Sequence, residues 1–474
     1  MRFMNRAREI AFIRGAIGLS KPKLFTLSIS GLRRVGKTRL ILETLKEKDL
    51  YFFVNKDKGS ESLLREYEET MKNKGALTEL ESLKNWDEFF KILFERFKGV
   101  IAFDEFQNFS SVDRSVYGTL QKYIDLNEHK KGVLLIFSGS TVGLVKKLFS
   151  DTKEPLYGRV KRKLDLKPLS FVDVLKVCRE LGIKDIEEVI RLYAVFGGFP
   201  KYYVSIEDEG LCGETTERIM EKFFFVENAA LEDEVSQILS LEFGKRSGTY
   251  YDILTAIANG NRRISEIASF MRKKETALTR QVNELINYFE LVGVEKPVIN
   301  GKSSLYIRHP LIDFWFRFFY KNLSSYKRRE AWLIEKIKRD INAFVGQRFE
   351  TVCREFLIEN PPFKFERIGR QLGKFKGEKG KNVYEIDILA LNERTKEVLF
   401  GECKWGEKVD AGGVLDELKK KAGHVNWHND ERIERYVIFA KEFEEKIKQP
   451  NLLLFDLGNM KRRLSRNRKI SRAT

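Results

Sequence analysis

Gly31-Leu-Arg-Arg-Val-Gly-Lys-Thr38 is the stretch that decides the fold of the first half of this chain. It matches the pattern G-x-x-x-x-G-K-[ST] at every fixed position. The apolar residues 24–29 before it predict a buried strand, and Leu40 and Ile41 after it begin a helical pattern. A strand, a glycine-bearing loop and a helix in this order predict a loop whose backbone N–H groups surround phosphate oxygens.

The chemistry of a phosphate-binding loop predicts a role for its side chains. Lys37 would reach the β- and γ-phosphates of a nucleoside triphosphate, and the Thr38 hydroxyl would ligate Mg²⁺. A nucleoside triphosphate and Mg²⁺ are therefore the predicted cofactors. The cofactor-binding residues predicted in this stretch are Gly31, Arg33, Arg34, Gly36, Lys37, Thr38 and Arg39.

Length and charge limit the class of protein. A chain of 474 residues with 42% hydrophobic residues predicts two to four domains with real cores. No apolar run is long enough to cross a bilayer, and four dispersed cysteines are typical of reduced thiols in a cytoplasmic protein. The net charge of +18 favours a nucleic-acid partner, DNA above all, and a lysine-rich solubilising surface is the alternative.

The pattern along the chain predicts an α/β fold with five parts. Residues 1–167 alternate apolar strands with helices, which is typical of a doubly wound parallel sheet. Residues 168–240 are predicted as a helical lid. Residues 241–335 predict three helices and a hairpin, a winged helix-turn-helix pattern, followed by an aromatic helix that we expect in a core. Residues 336–460 predict a further α/β domain, and residues 461–474 a basic tail that we expect to be disordered.

A carboxylate pair follows the third predicted strand. The apolar run at 99–103 leads into Asp104, placed to hold Mg²⁺, and Glu105, placed to polarise the attacking water. Ser138 ends the next strand, where it would sense the γ-phosphate; an ordinary turn with Ser140 capping the following helix is an equal alternative. Arg159 precedes the fifth strand and would stabilise charge on the transferred phosphoryl, in its own subunit or in a neighbour's.

These motifs together resemble the archaeal ATPase family, a branch of the STAND-type P-loop ATPases. The matching pieces are N-R-x-x-E at residues 5–9, the loop at 31–38, D-E-F-Q at 104–107, S-G-S at 138–140, P-L-Y-G-R at 155–159 and G-G-F-P at 197–200. The resemblance implies a P-loop ATPase sheet of order 5-1-4-3-2, a helical lid and a winged helix. It also implies ATP as the nucleotide and an ATP-driven switch.

The predicted winged helix has a basic surface. The third helix would enter a DNA major groove, and six basic residues lie around it: Arg262, Arg263, Arg272, Lys273, Lys274 and Arg280. The acidic Glu284 on the same helix weakens this interpretation. A helix that packs on the lid and relays the nucleotide state is an equal alternative.

A second group of charged residues lies in two predicted strands, 384–391 and 397–404, that form an antiparallel hairpin. The hairpin brings Asp387 opposite Glu402, and Lys404 shares a face with Glu402. Glu350, on a helix that opens near Val345, would add a third acid. Two carboxylates and a lysine can bind a divalent metal, activate a water and neutralise a phosphodiester.

This arrangement resembles the PD-(D/E)XK nuclease superfamily. The resemblance implies a restriction-endonuclease-like domain with Asp387, Glu402 and Glu350 as metal ligands and Lys404 as the catalytic lysine. A hairpin with ordinary surface salt bridges is the alternative. Two functions follow: an ATP-controlled nuclease acting on nucleic acid, or a non-catalytic switch or scaffold that forms nucleotide-dependent homo-oligomers and binds DNA or a protein partner without cutting.

Overall fold

The strand that precedes the glycine-bearing loop lies inside a five-stranded parallel sheet, in the order β2-β3-β4-β1-β5. We describe a computed structural model of the protein, which covers residues 5–140, 142–244, 248–375 and 382–470, with backbone alone at 142 and 466–470. The order is the one that the family resemblance implies, and the parallel α/β sheet predicted for residues 1–167 is confirmed. The strands are β1 (Phe25–Ser30), β2 (Leu50–Phe53), β3 (Gly99–Asp104), β4 (Val133–Gly139) and β5 (Arg162–Asp165).

Helices cover both faces of this sheet, because alternate strand residues point to opposite sides. Phe103 and Phe137 pack in an aromatic-rich core on one face, whereas Leu27 and Ile136 pack in a smaller aliphatic core on the other. The helices are α1 (Ala7–Ser20), α2 (Lys37–Thr44), α3 (Ser60–Asn73), α4 (Trp86–Arg96), α5 (Phe109–Val112), α6 (Ser115–Leu126) and α7 (Val142–Ser150).

The chain divides into two compact units. Among the described residues, the first contains the chain up to Pro168 and the short segments 199–201 and 287–290, and the second contains the rest. The second unit begins with helices, as the sequence predicts for residues 168–240. They are α8 (Phe171–Glu180), α9 (Ile186–Phe196), α10 (Pro200–Asp208), α11 (Thr216–Met220) and α12 (Glu234–Phe243).

Three helices and an antiparallel hairpin follow, in the order that the sequence predicts within residues 241–335. The aromatic helix after them is buried, as expected of a core element. The elements are α13 (Gly248–Ala258), α14 (Ile264–Phe270), α15 (Glu275–Asn287), β6 (Val292–Glu295), β7 (Ser304–Ile307), α16 (Pro310–Phe318) and α17 (Leu323–Lys327).

A mixed five-stranded sheet, in the order β14-β12-β10-β9-β8, forms the last part of the chain. Strands β8, β9 and β10 are antiparallel, whereas β12 and β14 are parallel to β10. The elements are α18 (Ala331–Glu359), β8 (Arg367–Lys374), β9 (Val383–Asn392), β10 (Glu397–Lys404), β11 (Val409–Asp410), α19 (Ala411–Gly423), β12 (Ile433–Ala440), β13 (Phe443–Glu445), β14 (Leu452–Phe455) and α20 (Leu457–Ile470).

Two expectations about this part were wrong. The helix that carries Glu350 does not open near Val345 but runs for 29 residues from Ala331, because Gly346 does not interrupt it. The tail expected to be disordered is helical up to Ile470, since Leu457, Met460 and Leu464 recur at helical spacing and are buried. Residues 471–474, with Arg472, lie outside the described residues.

Candidate functional site

The glycine-bearing loop joins β1 to α2 and places its lysine inside the loop. Gly36 precedes α2 with a φ of 96°, a conformation that side chains with a Cβ avoid. The Lys37 ammonium is buried and donates to the carbonyl oxygens of Gly31 at 2.7 Å and Leu32 at 3.1 Å. The predicted cofactor residues Gly31, Gly36 and Lys37 thus belong to one loop at the N-terminus of α2. The dipole of this helix favours a phosphate there.

The first predicted metal ligands lie together. The Thr38 hydroxyl donates to Asp104 Oδ2 at 2.6 Å, although 66 residues separate them. The Tyr51 hydroxyl donates to the same oxygen at 2.9 Å, and burial and Asp104 raise the pKa of Tyr51 above its usual value. A hydroxyl and a carboxylate beside a phosphate-binding loop are the oxygen donors that Mg²⁺ takes together with substrate phosphates. Thr38 and Asp104 therefore fit this ion.

Glu105 is held in a strained position beside this pair. Its φ of 53° lies in the left-handed region, which costs about 1–3 kcal/mol for a residue with a side chain and concentrates at functional sites. Gln107 Nε2 and Ser140 Oγ both donate to Glu105 Oε2, the second at 2.7 Å. The carboxylate is therefore oriented by two side chains from outside its own strand.

Ser138 lies on β4 next to both β1 and β3, as predicted for a residue near the γ-phosphate. Its hydroxyl is buried and has no hydrogen-bond partner among the described residues. A buried hydroxyl without a partner is costly unless a ligand or a water meets it. The Ser138 hydroxyl is therefore free to bond a ligand, as the prediction of a sensing role requires. Ser140, which the alternative assigned to a helix cap, donates to Glu105.

Gly139 leaves the space that Gln107 needs. A Cβ at Gly139 would lie 2.1 Å from Gln107 Oε1 and 2.5 Å from Val145 Cγ2. We expect Gly139→Ala to lower the free energy of unfolding by about 1–3 kcal/mol through overpacking, and to slow nucleotide hydrolysis by displacing Gln107. Thermal denaturation and phosphate release measure the two effects. Gly118→Ala is the control, because the added methyl meets nothing within 4 Å; equal behaviour of the two variants would contradict the prediction.

The predicted arginines have different positions. Arg33 and Arg34 belong to the loop, half-buried and exposed respectively. Arg39 is exposed on α2 and lies 3.8 Å from Glu43. Arg159 does not join the loop: its carbonyl accepts from Thr26 at the start of β1, and its guanidinium pairs with Asp125 at 3.1 Å. A role within its own subunit is therefore not supported, because the loop follows the opposite end of β1.

Sequence reasoning missed two residues that support this site. Arg6 is buried and donates to the Val35 carbonyl inside the loop at 3.1 Å and to Glu9 at 3.0 Å. The N-R-x-x-E pattern contained this signal, but the pattern alone assigns Arg6 no partner. Tyr51 lies on the edge strand β2, where a tyrosine in an apolar run carries no functional signal.

The second group of predicted residues lines one cavity of about 560 Å³. Glu350 comes from the middle of α18, Asp387 from β9, and Glu402 and Lys404 from the end of β10. The antiparallel register pairs Gly401 with Ile388. Glu402 and Asp387 are the next residues on the two strands, at the end of the hairpin away from its turn. The sequence-predicted convergence is therefore present.

The carboxylates in this cavity are buried close to one another and to a lysine. Glu402 Oε1 accepts from Lys404 Nζ at 2.9 Å, and Cys403 N donates to Asp387 Oδ2 at 2.8 Å. Burial and the Glu402 carboxylate raise the pKa of Asp387 to about 6. Burial and Asp387 raise the pKa of Glu350 to about 7. Raised carboxylate pKa values in a cavity are typical of functional sites.

The fit to a metal ion is limited to two carboxylates. Within the described ranges, no group of three or more carboxylate, histidine or cysteine side chains is close enough together to hold a metal ion. Asp387 and Glu402 are the pair that suits Mg²⁺, which accepts one or two carboxylates with waters and substrate phosphates. The prediction of Glu350 as a direct third ligand is not supported, because it lies on the cavity wall without joining such a group.

The raised pKa of Glu350 predicts a pH effect in metal-free protein. Its pKa of about 7 in the folded protein lies above the ordinary glutamate pKa of 4.5, so its stabilising contribution is complete below pH 4.5 and is lost as the pH rises through 7. Glutamine stays neutral, and Glu350→Gln should therefore gain about 1–3 kcal/mol relative to wild type between about pH 5 and 8.

Thermal denaturation in EDTA at both pH values measures the effect. Glu335→Gln is the control on the same helix, since Glu335 is exposed. Asp387, Arg370, Arg354 and Arg262 are the charged groups that act on Glu350. A Glu350→Gln difference that is the same at both pH values would contradict the assigned burial.

The predicted nucleic-acid surface is exposed around α15. Arg272, Lys273 and Lys274 precede this helix, and Arg280 on it lies 3.0 Å from Glu284. The loop between β6 and β7 is hydrogen-bonded to strand β8. Val298 N donates to the Arg370 carbonyl at 3.3 Å, and Ile299 N donates to Gln371 Oε1 at 3.0 Å, along the edge strand β8.

This loop therefore covers the exposed edge of the last sheet, which would otherwise invite pairing with another chain. Any contact of this motif with DNA rests on α15 and the basic residues before it.

No helix among the described residues combines the length and apolar character that a membrane crossing requires.

Two family models match separate parts of this chain. Residues 3–206 match a family model described as an ATPase domain predominantly from Archaea. Residues 315–421 match the family DUF234, described as archaeal and bacterial proteins of unknown function. This second match spans Glu350, Asp387, Glu402 and Lys404.

One relative extends over nearly the whole chain. An uncharacterized protein of Methanocaldococcus jannaschii is 30% identical over 469 residues, which are 96% of this chain and 99% of the relative.

A solved structure has a similar fold over about two thirds of this chain. A Walker-type ATPase of Pyrococcus abyssi matches 66% of this chain and 96% of its own at 22% identity, with a TM-score of 0.52. The ORC2 protein of Aeropyrum pernix, solved in ADPNP–ADP complexes, is less similar, at 15% identity over 71% of this chain and 96% of its own, with a TM-score of 0.47.

Proposed function

The chain belongs to a family of archaeal ATPases, and from this premise we propose that it is an ATP-hydrolysing switch that controls a Mg²⁺-dependent nuclease. Residues 1–167 form the ATPase core, 168–240 a lid of the STAND type, and 241–335 a winged helix-turn-helix. Residues 336–460 form a PD-(D/E)XK nuclease-like domain, and the basic residues after them add charge for nucleic acid. DNA is the proposed substrate.

The observation that carries the nuclease proposal is the common cavity of Asp387, Glu402 and Lys404. Asp387 and Glu402 would hold Mg²⁺, which activates a water and neutralises a phosphodiester when bound. Lys404 remains an ammonium: burial lowers its pKa, but the hydrogen bond to Glu402 and the charges of Glu402 and Asp387 together raise it above its usual value. It would therefore donate to a phosphate oxygen. Glu350 would orient water from the cavity wall.

The ATPase residues have matching roles. Lys37 and the loop N–H groups would bind the phosphates, with Arg33, Arg34 and Arg39 on their outer side. Thr38 and Asp104 would hold Mg²⁺, Glu105 would polarise the attacking water, and Ser138 would sense the γ-phosphate. Arg159, half-buried at the other end of the sheet, suits a site on a neighbouring subunit. That role requires a homo-oligomer in the ATP state.

A cleavage assay tests the proposal. Single-stranded DNA, double-stranded DNA and RNA are incubated with the full chain and Mg²⁺ or Mn²⁺, with ATP, with ADP or without nucleotide. We expect cleavage of DNA that EDTA abolishes and that depends on the nucleotide. Absence of cleavage of every substrate under all of these conditions would refute the nuclease.

A second candidate is favoured by one observation. Both oxygens of Glu402 are already bonded to lysine ammonium groups, which suits a domain that binds DNA or a protein without cutting. Such a scaffold predicts a particle size that differs between ADP and a non-hydrolysable ATP analogue. Light scattering measures the size, and an equal size in both states would count against the scaffold.

A further inference from the structure

Lys421 lies in the last turn of α19 and donates to Glu402, whose Oε1 also accepts from Lys404. Its Nζ lies 3.0 Å from Glu402 Oε1 and 2.9 Å from Oε2, so one ammonium bridges both carboxylate oxygens. No sequence motif used above contains it, and nothing local in the run Lys419-Lys-Lys421 distinguishes it.

The tertiary structure separates Lys421 from its two neighbours. Lys419 and Lys420 are exposed, and Lys419 donates to Gln449 outside the cavity. The Lys421 side chain is 28% exposed and its partner Glu402 only 7%. A two-pronged bond to a buried carboxylate is stronger than an exposed ion pair, since little water competes for it.

A divalent cation that binds Glu402 would need the carboxylate oxygens to which Lys421 donates. An ammonium and a cation cannot share the same carboxylate oxygens at close range, because their charges repel in a partly buried site. Lys421 also acts on Asp387, since its charge lowers the pKa that burial and Glu402 raise. Both proposed metal ligands therefore interact with this lysine.

We propose that Lys421 is a positioning residue that holds Glu402 in the metal-free protein and, once released by a divalent cation, contacts a phosphate oxygen of the nucleic-acid substrate. This inference rests on the proposed nuclease site. In the metal-free protein, both oxygens of Glu402 accept from lysine ammonium groups. A divalent cation would bind Glu402 by displacing the Lys421 ammonium from these oxygens. With Lys404, Lys421 provides two cations for one phosphodiester.

Mn²⁺ binding to the nucleotide-free full chain, measured by calorimetry, tests the exchange. We expect Lys421→Met to lower the Mn²⁺ Kd about tenfold, the size of one hydrogen bond to a charged group. Lys420→Met, an exposed neighbour, is expected to keep the wild-type Kd. Lys421→Arg, which retains a bridging cation, is also expected to keep the wild-type Kd. Should Lys421→Met lose thermal stability, Lys421→Gln removes the same charge and is expected to lower the Mn²⁺ Kd by a similar factor.

The second arm measures phosphate contact. With Ca²⁺ in place of Mg²⁺ to suppress cleavage, Lys421→Met should bind a short DNA about tenfold more weakly than Lys420→Met does. An unchanged Mn²⁺ Kd in Lys421→Met would overturn the exchange, and unchanged DNA affinity would overturn the phosphate contact. Asp387→Asn distinguishes failure of the Lys421 exchange from failure of the proposed nuclease site. If Asp387→Asn binds as much Mn²⁺ as the wild type, Asp387 and Glu402 form no metal site.

Discussion

Glu105→Gln is expected to lower the rate of ATP hydrolysis by about 10²–10⁴-fold while ATP binding stays near the wild-type level. An amide cannot accept a proton from the attacking water. Its oxygen can still accept the hydrogen bonds that Gln107 and Ser140 give to Glu105, so the local geometry should persist. Lys37 and Thr38, which would bind the phosphates and the metal, are unchanged.

Phosphate release and the affinity for a fluorescent ATP analogue measure the two halves of this result. Glu43→Gln is the matched control, because Glu43 is an exposed glutamate on α2. Hydrolysis close to the wild-type rate in Glu105→Gln would exclude Glu105 as the group that polarises water. Loss of binding together with hydrolysis would instead assign it a structural role in the loop.

Asp387→Asn is expected to reduce metal-dependent cleavage of nucleic acid by at least about 100-fold. The substitution removes the charge that a divalent cation needs, while the amide oxygen can still accept the hydrogen bond from Cys403 N. The burial that raises the pKa of Asp387 to about 6 also predicts that wild-type cleavage rises as the pH increases through 6, because the ligand must be ionised.

Gel electrophoresis of labelled DNA measures this effect, with ATP hydrolysis as the internal test of folding. Glu397→Gln is the control: Glu397 lies at the other end of β10, where it pairs with Arg435, away from the cavity. Cleavage that survives in Asp387→Asn and in Lys404→Ala would assign the activity to another site or to a contaminant.

Local patterns predicted the elements of both sites well. The P-loop stretch is a contiguous motif. The carboxyl ends of parallel strands in one sheet lie at the same edge, which brings Asp104 at the end of β3 to Thr38 after β1, with β4 between these strands. The strand alternation and short turn of the hairpin predicted the pairing that unites Asp387 and Glu402. The basic tail was misjudged because composition suggested disorder, whereas three buried apolar residues, Leu457, Met460 and Leu464, hold α20.

The amino-acid sequence by itself determined the parallel ATPase sheet, the phosphate-binding loop and the hairpin with its acids, since these depend on residues close in the chain or on strand periodicity. Only the tertiary structure decided which basic side chains contact the two sites. Arg6 donates to the loop, Lys421 donates to Glu402, and Arg159 pairs with Asp125 away from the loop. Long flexible basic side chains occur throughout this chain. Which of them meets a given carboxylate depends on packing between distant elements, and no spacing in the sequence records it.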